Sequence, residues 1–259
     1  MKKLLLLFLP FAALLAGCEK ENDETHGQDS FNRLVKEVTC ECWDWEGGDE
    51  KSVFEFKYDD KNRLCHVAEK RYNDKDQLYG DNVYRYAYEL NELTILGDMN
   101  QENETSETHY SVTYTYRFEN DLMISELREV GNSSEVASFY YDNAGLLSRM
   151  IEEYNWINHH VDLLVSWNNG NMVGPNVYSS YKNNANLDFS SLMWGDYDPK
   201  SDRHVFKGIH NENLVEKEKD GDYLLLYSYV FDQYGYPIKI EASDNKGWNS
   251  TKLYIQYYQ

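Results

Sequence analysis

Residues 138–150 read SFYYDNAGLLSRM. The same order of an aromatic residue, an Asp, a Gly or Asn three positions on, and then an apolar residue returns at 54–67 (FEFKYDDKNRLCHV) and 227–240 (YSYVFDQYGYPIKI). Aligned on the acid, the copies set Asp59, Asp142 and Asp232 against Asn62, Gly145 and Gly235. Gly and Asn tolerate the left-handed backbone region that other residues avoid. An Asp at the first turn position can accept hydrogen bonds from the backbone N–H groups ahead of it. Together they specify a short hairpin loop built on a type I turn and closed by a left-handed residue. The flanks alternate with period two: Phe54, Phe56 and Tyr58 before the first turn, Phe139 and Tyr141 before the second, Tyr227, Tyr229 and Phe231 before the third. Period two around such a turn is the pattern of a β-hairpin.

Weaker copies fill the intervals. Tyr72–Leu78 fits the template with Asp76 in the left-handed slot, and Tyr154–Asn158 fits it with Asn158 there. Trp167–Asn171 carries a tighter Asn-Gly turn, and long alternating runs cover 83–88 and 112–118. A unit of roughly 22 to 32 residues recurring about six times implies stacked hairpins that share one core. The expected fold is all-β: an antiparallel meander of about six β-hairpins forming a curled or closed sheet. The alternation fails between about 176 and 220. Within that insertion, residues 186–194 have the spacing of a short amphipathic helix capped by Asn186 or Asp188. An insertion of this length serves either as a functional element or as a seal for the end of the core.

The amino terminus specifies an address. Lys2 and Lys3 precede an apolar run from Leu4 to Leu15, too short to span a bilayer and typical of a secretory signal. Leu15-Ala16-Gly17-Cys18 is a lipobox, which makes Cys18 the lipidation site and membrane attachment the work of its acyl chains. The expected organisation is a removed signal over 1–17, an acidic tether over 18–30 and a single hairpin-repeat domain over 31–259. The cluster Glu19–Glu24 resembles the surface-export signal of Bacteroidota lipoproteins, which implies an outer-membrane, surface-exposed location. Of 259 residues, 23 are Tyr, 10 Phe and 6 Trp, a composition suited to half-buried pleated surfaces. The formal charge of −20 becomes −22 when Lys2 and Lys3 leave with the signal. Such a surface repels nucleic acid and anionic headgroups.

The lipobox, the serial aromatic-Asp hairpins, the break NANLDFSSLMWG, the segment GIHNENLVEKE and the terminal KLYIQYYQ resemble the Bacteroidota lipoproteins grouped as domain of unknown function 4595. The turns are also similar to the tyrosine-aspartate repeats of Rhs-type proteins, although those have more units, regular spacing and no such insertion. Neither resemblance implies a catalytic residue.

No nucleophile elbow, zinc-protease helix or phosphate loop is present. His159 and His160 are adjacent, so on a strand they face opposite sides and make poor co-ligands. Asp196, Asp198 and Asp202 are hard oxygen donors of the kind Ca²⁺ takes, without EF-hand order; solvated turn acids are the plainer reading. Cys40, Cys42 and Cys65 remain after lipidation. The alternatives are free thiols or one bridge to Cys65, with metal third; a direct Cys40–Cys42 bridge is expected to be geometrically poor. Trp194 and Tyr197 in the insertion, with Trp43 and Trp45 on one strand face, are the candidate binding residues, since exposed aromatics stack on sugar rings. Core packing is their alternative use. The leading reading is a non-catalytic binding or scaffolding module for a glycan or protein partner. The alternatives are a glycoside-hydrolase-like carboxylate pair at the insertion and a purely structural envelope lipoprotein.

Overall fold

The structure is a computed structural model. It describes residues 33–44, 48–103, 106–157, 159–174, 176–187, 189, 192–195, 197–200, 206–207, 209–220, 223–247 and 249–258. Cys18, Trp45, Asn158, Asp188, Asp196 and Asp202 lie outside the described residues.

The hairpin signals build one sheet. The first ten strands are β1 (Val35–Asp44), β2 (Gly48–Tyr58), β3 (Leu64–Tyr72), β4 (Leu78–Glu89), β5 (Glu92–Asn103), β6 (Ser106–Glu119), β7 (Leu122–Val130), β8 (Ser133–Tyr141), β9 (Leu147–Tyr154) and β10 (His159–Leu164). A small hairpin follows, β11 (Trp167–Asn168) with β12 (Asn171–Met172), and then β13 (Asn176–Lys182). After the insertion come β14 (Asn213–Asp220), β15 (Tyr223–Phe231), β16 (Pro237–Asp244) and β17 (Asn249–Tyr257). Fifteen of these form a single antiparallel sheet in the order β10 to β1, then β17 back to β13. The terminal strands thus pair in its interior, with Val38 opposite Ile255 and Cys40 opposite Leu253. The sheet does not close. Its edges are β10 and β13. The gap is bridged at one place, where Glu212 N, just before β14, donates to Gly170 O of the β11–β12 turn at 3.0 Å.

The repeated cassette folds the same way each time. Asn62, Gly145 and Gly235 have φ of 62°, 77° and 84°. Asp142 Oδ1 accepts from Ala144 N at 2.8 Å and Leu146 N at 3.0 Å, and Asp232 Oδ1 accepts from Tyr234 N and Tyr236 N at 2.8 and 3.0 Å. Asp59 does so toward Lys61 and Arg63, and Asn73 toward Lys75 and Gln77 with Asp76 at φ 55°. In all four hairpins the register shifts by one beside the turn. That is the bulge a left-handed closing residue produces. Because antiparallel strands alternate in direction, the turns at 59–63, 142–146 and 232–236 lie at one end of the sheet. The first and last described residues lie there too: Tyr258 N donates to Leu34 O at 2.9 Å. The turns at 73–77 and 244–247 lie at the opposite end. At the terminal end Arg33 ion-pairs with Asp232 and stands over the rings of Tyr234, Tyr236 and Tyr257 at 5.5, 5.5 and 5.2 Å.

The insertion is narrower than its broken pattern implied, because 176–182 and 213–220 are strands. The intervening segment is a strap across the concave face. The helix expected over 186–194 reduces, among the described residues, to one 3-10 turn, Leu192–Trp194, packed on β1 and β17. An extended course lets the strap reach across many strands. Leu187, Phe189, Leu192, Met193, Tyr197, Phe206 and Ile209 are all buried against Phe54, Phe56, Tyr84, Ile95 and Tyr116. Burying a large apolar side chain contributes roughly 1.5–3 kcal/mol, so the strap is core rather than appendage. Outward positions carry cross-strand pairs such as Arg85–Asp98 and Arg149–Asp162. Such a face differs from the apolar band that a lipid-facing barrel presents. Among the described residues no helix is long and apolar enough to cross a membrane.

Candidate functional site

The strap brings Tyr197 inside the sheet, so Tyr197 is not an exposed binding aromatic; it is 4% exposed. Its ring meets Phe56 and Tyr84 edge-on at 6.0 and 5.1 Å, and its carbonyl accepts from Tyr84 OH at 2.9 Å. Burial holds the Tyr84 phenol far above its ordinary pKa, so it stays a donor. Asp198 is exposed, and its Oδ1 accepts from Tyr114 OH at 3.2 Å and Lys200 N at 2.9 Å. These contacts tie the carboxylate to the sheet. Among the described residues no three His, Cys, Asp or Glu side chains gather around a common metal position. The backbone of Trp194 belongs to the 3-10 turn, and its side chain is outside the described set.

Beneath the strap lies a polar bed that the alternation hid. Glu69 and Asn82 occupy inward positions of β3 and β4, joined by Asn82 Nδ2 donating to Glu69 Oε2 at 2.8 Å, with Arg71 Nε 3.5 Å from Glu69 Oε1. On β7–β9 the inward carboxylates are Glu126, Glu135 and Glu152. Lys200 of the strap donates to Glu135, and Arg128 stands 3.8 Å from the same carboxylate. Tyr154 OH donates to Glu152 at 3.2 Å, and burial followed by that carboxylate pushes the phenol up to about 12. Glu135 thus ties strap to sheet, while Glu69 and Glu152 are held by neighbours within the sheet. Their signal was present in the sequence as charged residues in the same phase as Val67, Tyr84 and Phe139.

Cys40, Cys42 and Cys65 form no disulfide. Cys65 does not join Cys40 or Cys42, because β2 separates β1 from β3 and Cys65 lies near the terminal end of β3. Cys40 Sγ and Cys42 Sγ lie 2.9 Å apart, a hydrogen bond and not a bridge. The hydrogen bond to Cys42, and then burial, raise the Cys40 thiol far above its usual range.

Two concavities are lined by described residues and bear on binding. One is a groove of about 430 Å³ on the rim farthest from the chain ends, lined by Trp43, Glu41, Glu50, Asp74 and Lys252 among others. Its volume falls in the range of about 300–1,000 Å³ usual for ligand sites. Trp43 is 43% exposed there. Tyr79 OH donates to Glu50 Oε2 at 3.0 Å, which fixes one acid of the rim. The other concavity, of about 180 Å³, lies inside the sheet between β13–β15 and the strap.

Fold and site define an all-β protein of one open meander sheet, its trough filled by a strap and its aromatic rim groove opposite the chain termini. No family model matches the chain, and no curated protein matches it. Among solved structures, a porin-like protein from Bacteroides uniformis ATCC 8492 aligns with a TM-score of 0.45 at 14% identity, over 86% of this chain and 96% of its own. A porin-like protein from Bacteroides vulgatus ATCC 8482 aligns at 0.42 and 15% identity, over 88% and 99%. At this similarity, nothing about the activity of this chain follows from either.

Proposed function

We propose that this protein is a lipid-anchored, non-catalytic binding module of the bacterial cell envelope. It is held at the outer membrane through Cys18, as in the lipoproteins grouped as domain of unknown function 4595, and presents its rim groove to a glycan or protein partner. The observation that carries the reading is the placement of Trp43: exposed, in a ligand-sized groove, at the end of the sheet opposite both termini. A tether from Cys18 to Arg33 spans at most about 50 Å, and it meets the sheet at the terminal end. The groove therefore lies at the end of the sheet away from the tether's attachment. The carboxylates under the strap support a non-catalytic role, since Glu135 and Glu152 are engaged by Lys200, Arg128 and Tyr154. The negative surface favours neutral or cationic partners and disfavours nucleic acid.

The test has two arms. Labelled palmitate is expected to enter the wild-type protein and not Cys18→Ala, which should fractionate as soluble. Protease added to intact cells is expected to cleave the wild-type protein. An unlabelled wild-type chain would refute the anchor, and full protection on intact cells would refute surface display.

A further inference from the structure

Cys40 and Cys42 occupy alternate positions of β1, so both side chains leave the strand on its inner face. The ladders run unbroken through them: Cys40 faces Ser52 and Leu253, and Cys42 faces Glu50 and Thr251. Two residues on one face of a strand stand about 6.4–6.8 Å apart. That is the outer limit for the Cα atoms of a disulfide, whose Cβ atoms must also close to about 3.5–4.5 Å. A bridge would therefore break the ladders on both sides. A metal ion asks for less. Two metal–sulfur bonds of about 2.3 Å in line hold their sulfurs about 4.6 Å apart. From 2.9 Å, the sulfurs reach that separation by side-chain rotation alone, because their strand positions are already farther apart.

The strap roofs the pair. Its 3-10 turn, Leu192–Trp194, packs on β1 and β17, and Cys42 Sγ lies 3.8 Å from Met193 O. Gly195 follows at φ 79°, and a Cβ there would stand 3.5 Å from Cys42 Sγ and 3.4 Å from Ser52 Oγ. Glycine therefore keeps open a space beside the sulfurs that any other residue would fill. The contact with Cys42 and then burial hold the Cys40 thiol protonated, while the Gly195 backbone hydrogen bond pulls it toward its anion. Hydrogen bonds of this kind to a ligating sulfur tune a metal site. The donor set decides the ion. Among the described residues no third His, Cys, Asp or Glu joins the two thiols. Zn²⁺ asks for four ligands and Ca²⁺ for six or more oxygens. Thiolates select soft ions such as Cu(I), which two sulfurs satisfy.

We propose that Cys40 and Cys42 form a two-coordinate thiolate site for a soft monovalent cation, Cu(I), under the 3-10 turn of the strap. Cys40 is buried and Cys42 half-buried, so the ion meets Cys42 first. Each thiol gives up its proton as its sulfur takes the metal: one cation enters and two protons leave. The site does not depend on what the Trp43 groove binds.

The experiment titrates the reduced full chain in detergent, without oxygen, with Cu(I) held by bicinchoninate, a coloured chelator that competes for it. One Cu(I) per chain is expected to leave the chelator, and X-ray absorption should show two sulfur neighbours and no nitrogen or oxygen. Cys42→Ser and Cys40→Ala should each weaken binding by about a hundredfold or more, beyond the loss of an outer-shell partner. Cys65→Ser and Cys18→Ala should leave it unchanged, and excess Zn²⁺ should not displace the Cu(I). Bound Cu(I) should raise the melting temperature of the wild-type chain and not that of Cys42→Ser. Should Cys40→Ala melt early, the half-buried Cys42→Ser carries the comparison. The proposal is overturned if the chelator keeps its Cu(I), if nitrogen or oxygen neighbours appear, or if Zn²⁺ displaces the ion. It is equally overturned if Cys42→Ser binds like wild type, or if Cys65→Ser or Cys18→Ala weakens binding as far as Cys42→Ser does.

Discussion

Replacing Gly145 by Val separates a turn from a ligand site. Gly145 sits at φ 77°, and a Cβ built there meets nothing within 4 Å. The whole penalty is therefore backbone conformation. A left-handed position costs an ordinary residue about 1–2 kcal/mol, and a β-branched side chain raises that toward about 3 kcal/mol. The chain carries its own control, since Asn62 fills the equivalent slot at φ 62°. Gly145→Asn should then cost less than about 1 kcal/mol. At about 2–4 °C per kcal/mol for a domain of this size, a penalty of about 3 kcal/mol should lower the melting temperature by about 6–12 °C. Urea unfolding followed by circular dichroism reads the difference. Equal stability of Val and Asn variants, or a Val variant as stable as wild type, would refute the left-handed turn. Loss of ligand binding without loss of stability would make the cassette a site.

Phe206 is 2% exposed and meets Phe118 edge-on at 5.2 Å, so Phe206→Ala should cost about 3–5 kcal/mol in the same assay. A cost below about 1 kcal/mol would make the strap a loose cover. The pH profile should fall at both ends. Burial raises the Asp232 carboxyl, but the backbone N–H groups of Tyr236 and Tyr234 and the Arg33 guanidinium outweigh it and hold it below the ordinary range. Its contribution is therefore complete above about pH 4 and lost as pH drops through the folded value. Burial raises Tyr84, Tyr114, Tyr141 and Tyr257, so their contribution is complete below about pH 10 and lost as pH climbs further. Asp232→Asn should flatten the acid limb; an unchanged limb would contradict the Arg33 anchor. Iodoacetamide at pH 8 should label half-buried Cys65 and spare Cys40 until the protein unfolds; rapid alkylation of native Cys40 would contradict the raised thiol.

The turns were legible because each needs a residue type that few positions tolerate: Asn62, Gly145 and Gly235 announce a positive φ, and the Asp before them announces its acceptors. The strap was not. Leu187, Phe189, Leu192 and Met193 have helical spacing, yet their burial comes from lying between strands, which decides the conformation over local propensity. Tyr197 read as an exposed aromatic because loops are usually outside; here the loop is the filling of the trough. Glu69, Arg71 and Glu135 were hidden because alternation assigns charges outward, and partners make the inward positions tolerable: Asn82 and Arg71 for Glu69, and Lys200 of the strap with Arg128 for Glu135. Closure could not be read either, since it depends on twist accumulated over fifteen strands. The Trp43 groove joins β1, β2 and the turn at 73–77 to Lys252 of β17, which is distant in the chain, and only Trp43 itself stood out.

The most direct test places a benzophenone amino acid at position 43 and, as control, at position 140. Tyr140 is exposed on the outer face near the terminal end of the sheet. Irradiating intact cells should give a discrete adduct with an envelope glycan or protein from position 43 and none from position 140. Equal adducts from both positions, or none from position 43, would contradict a binding face carried away from the anchor.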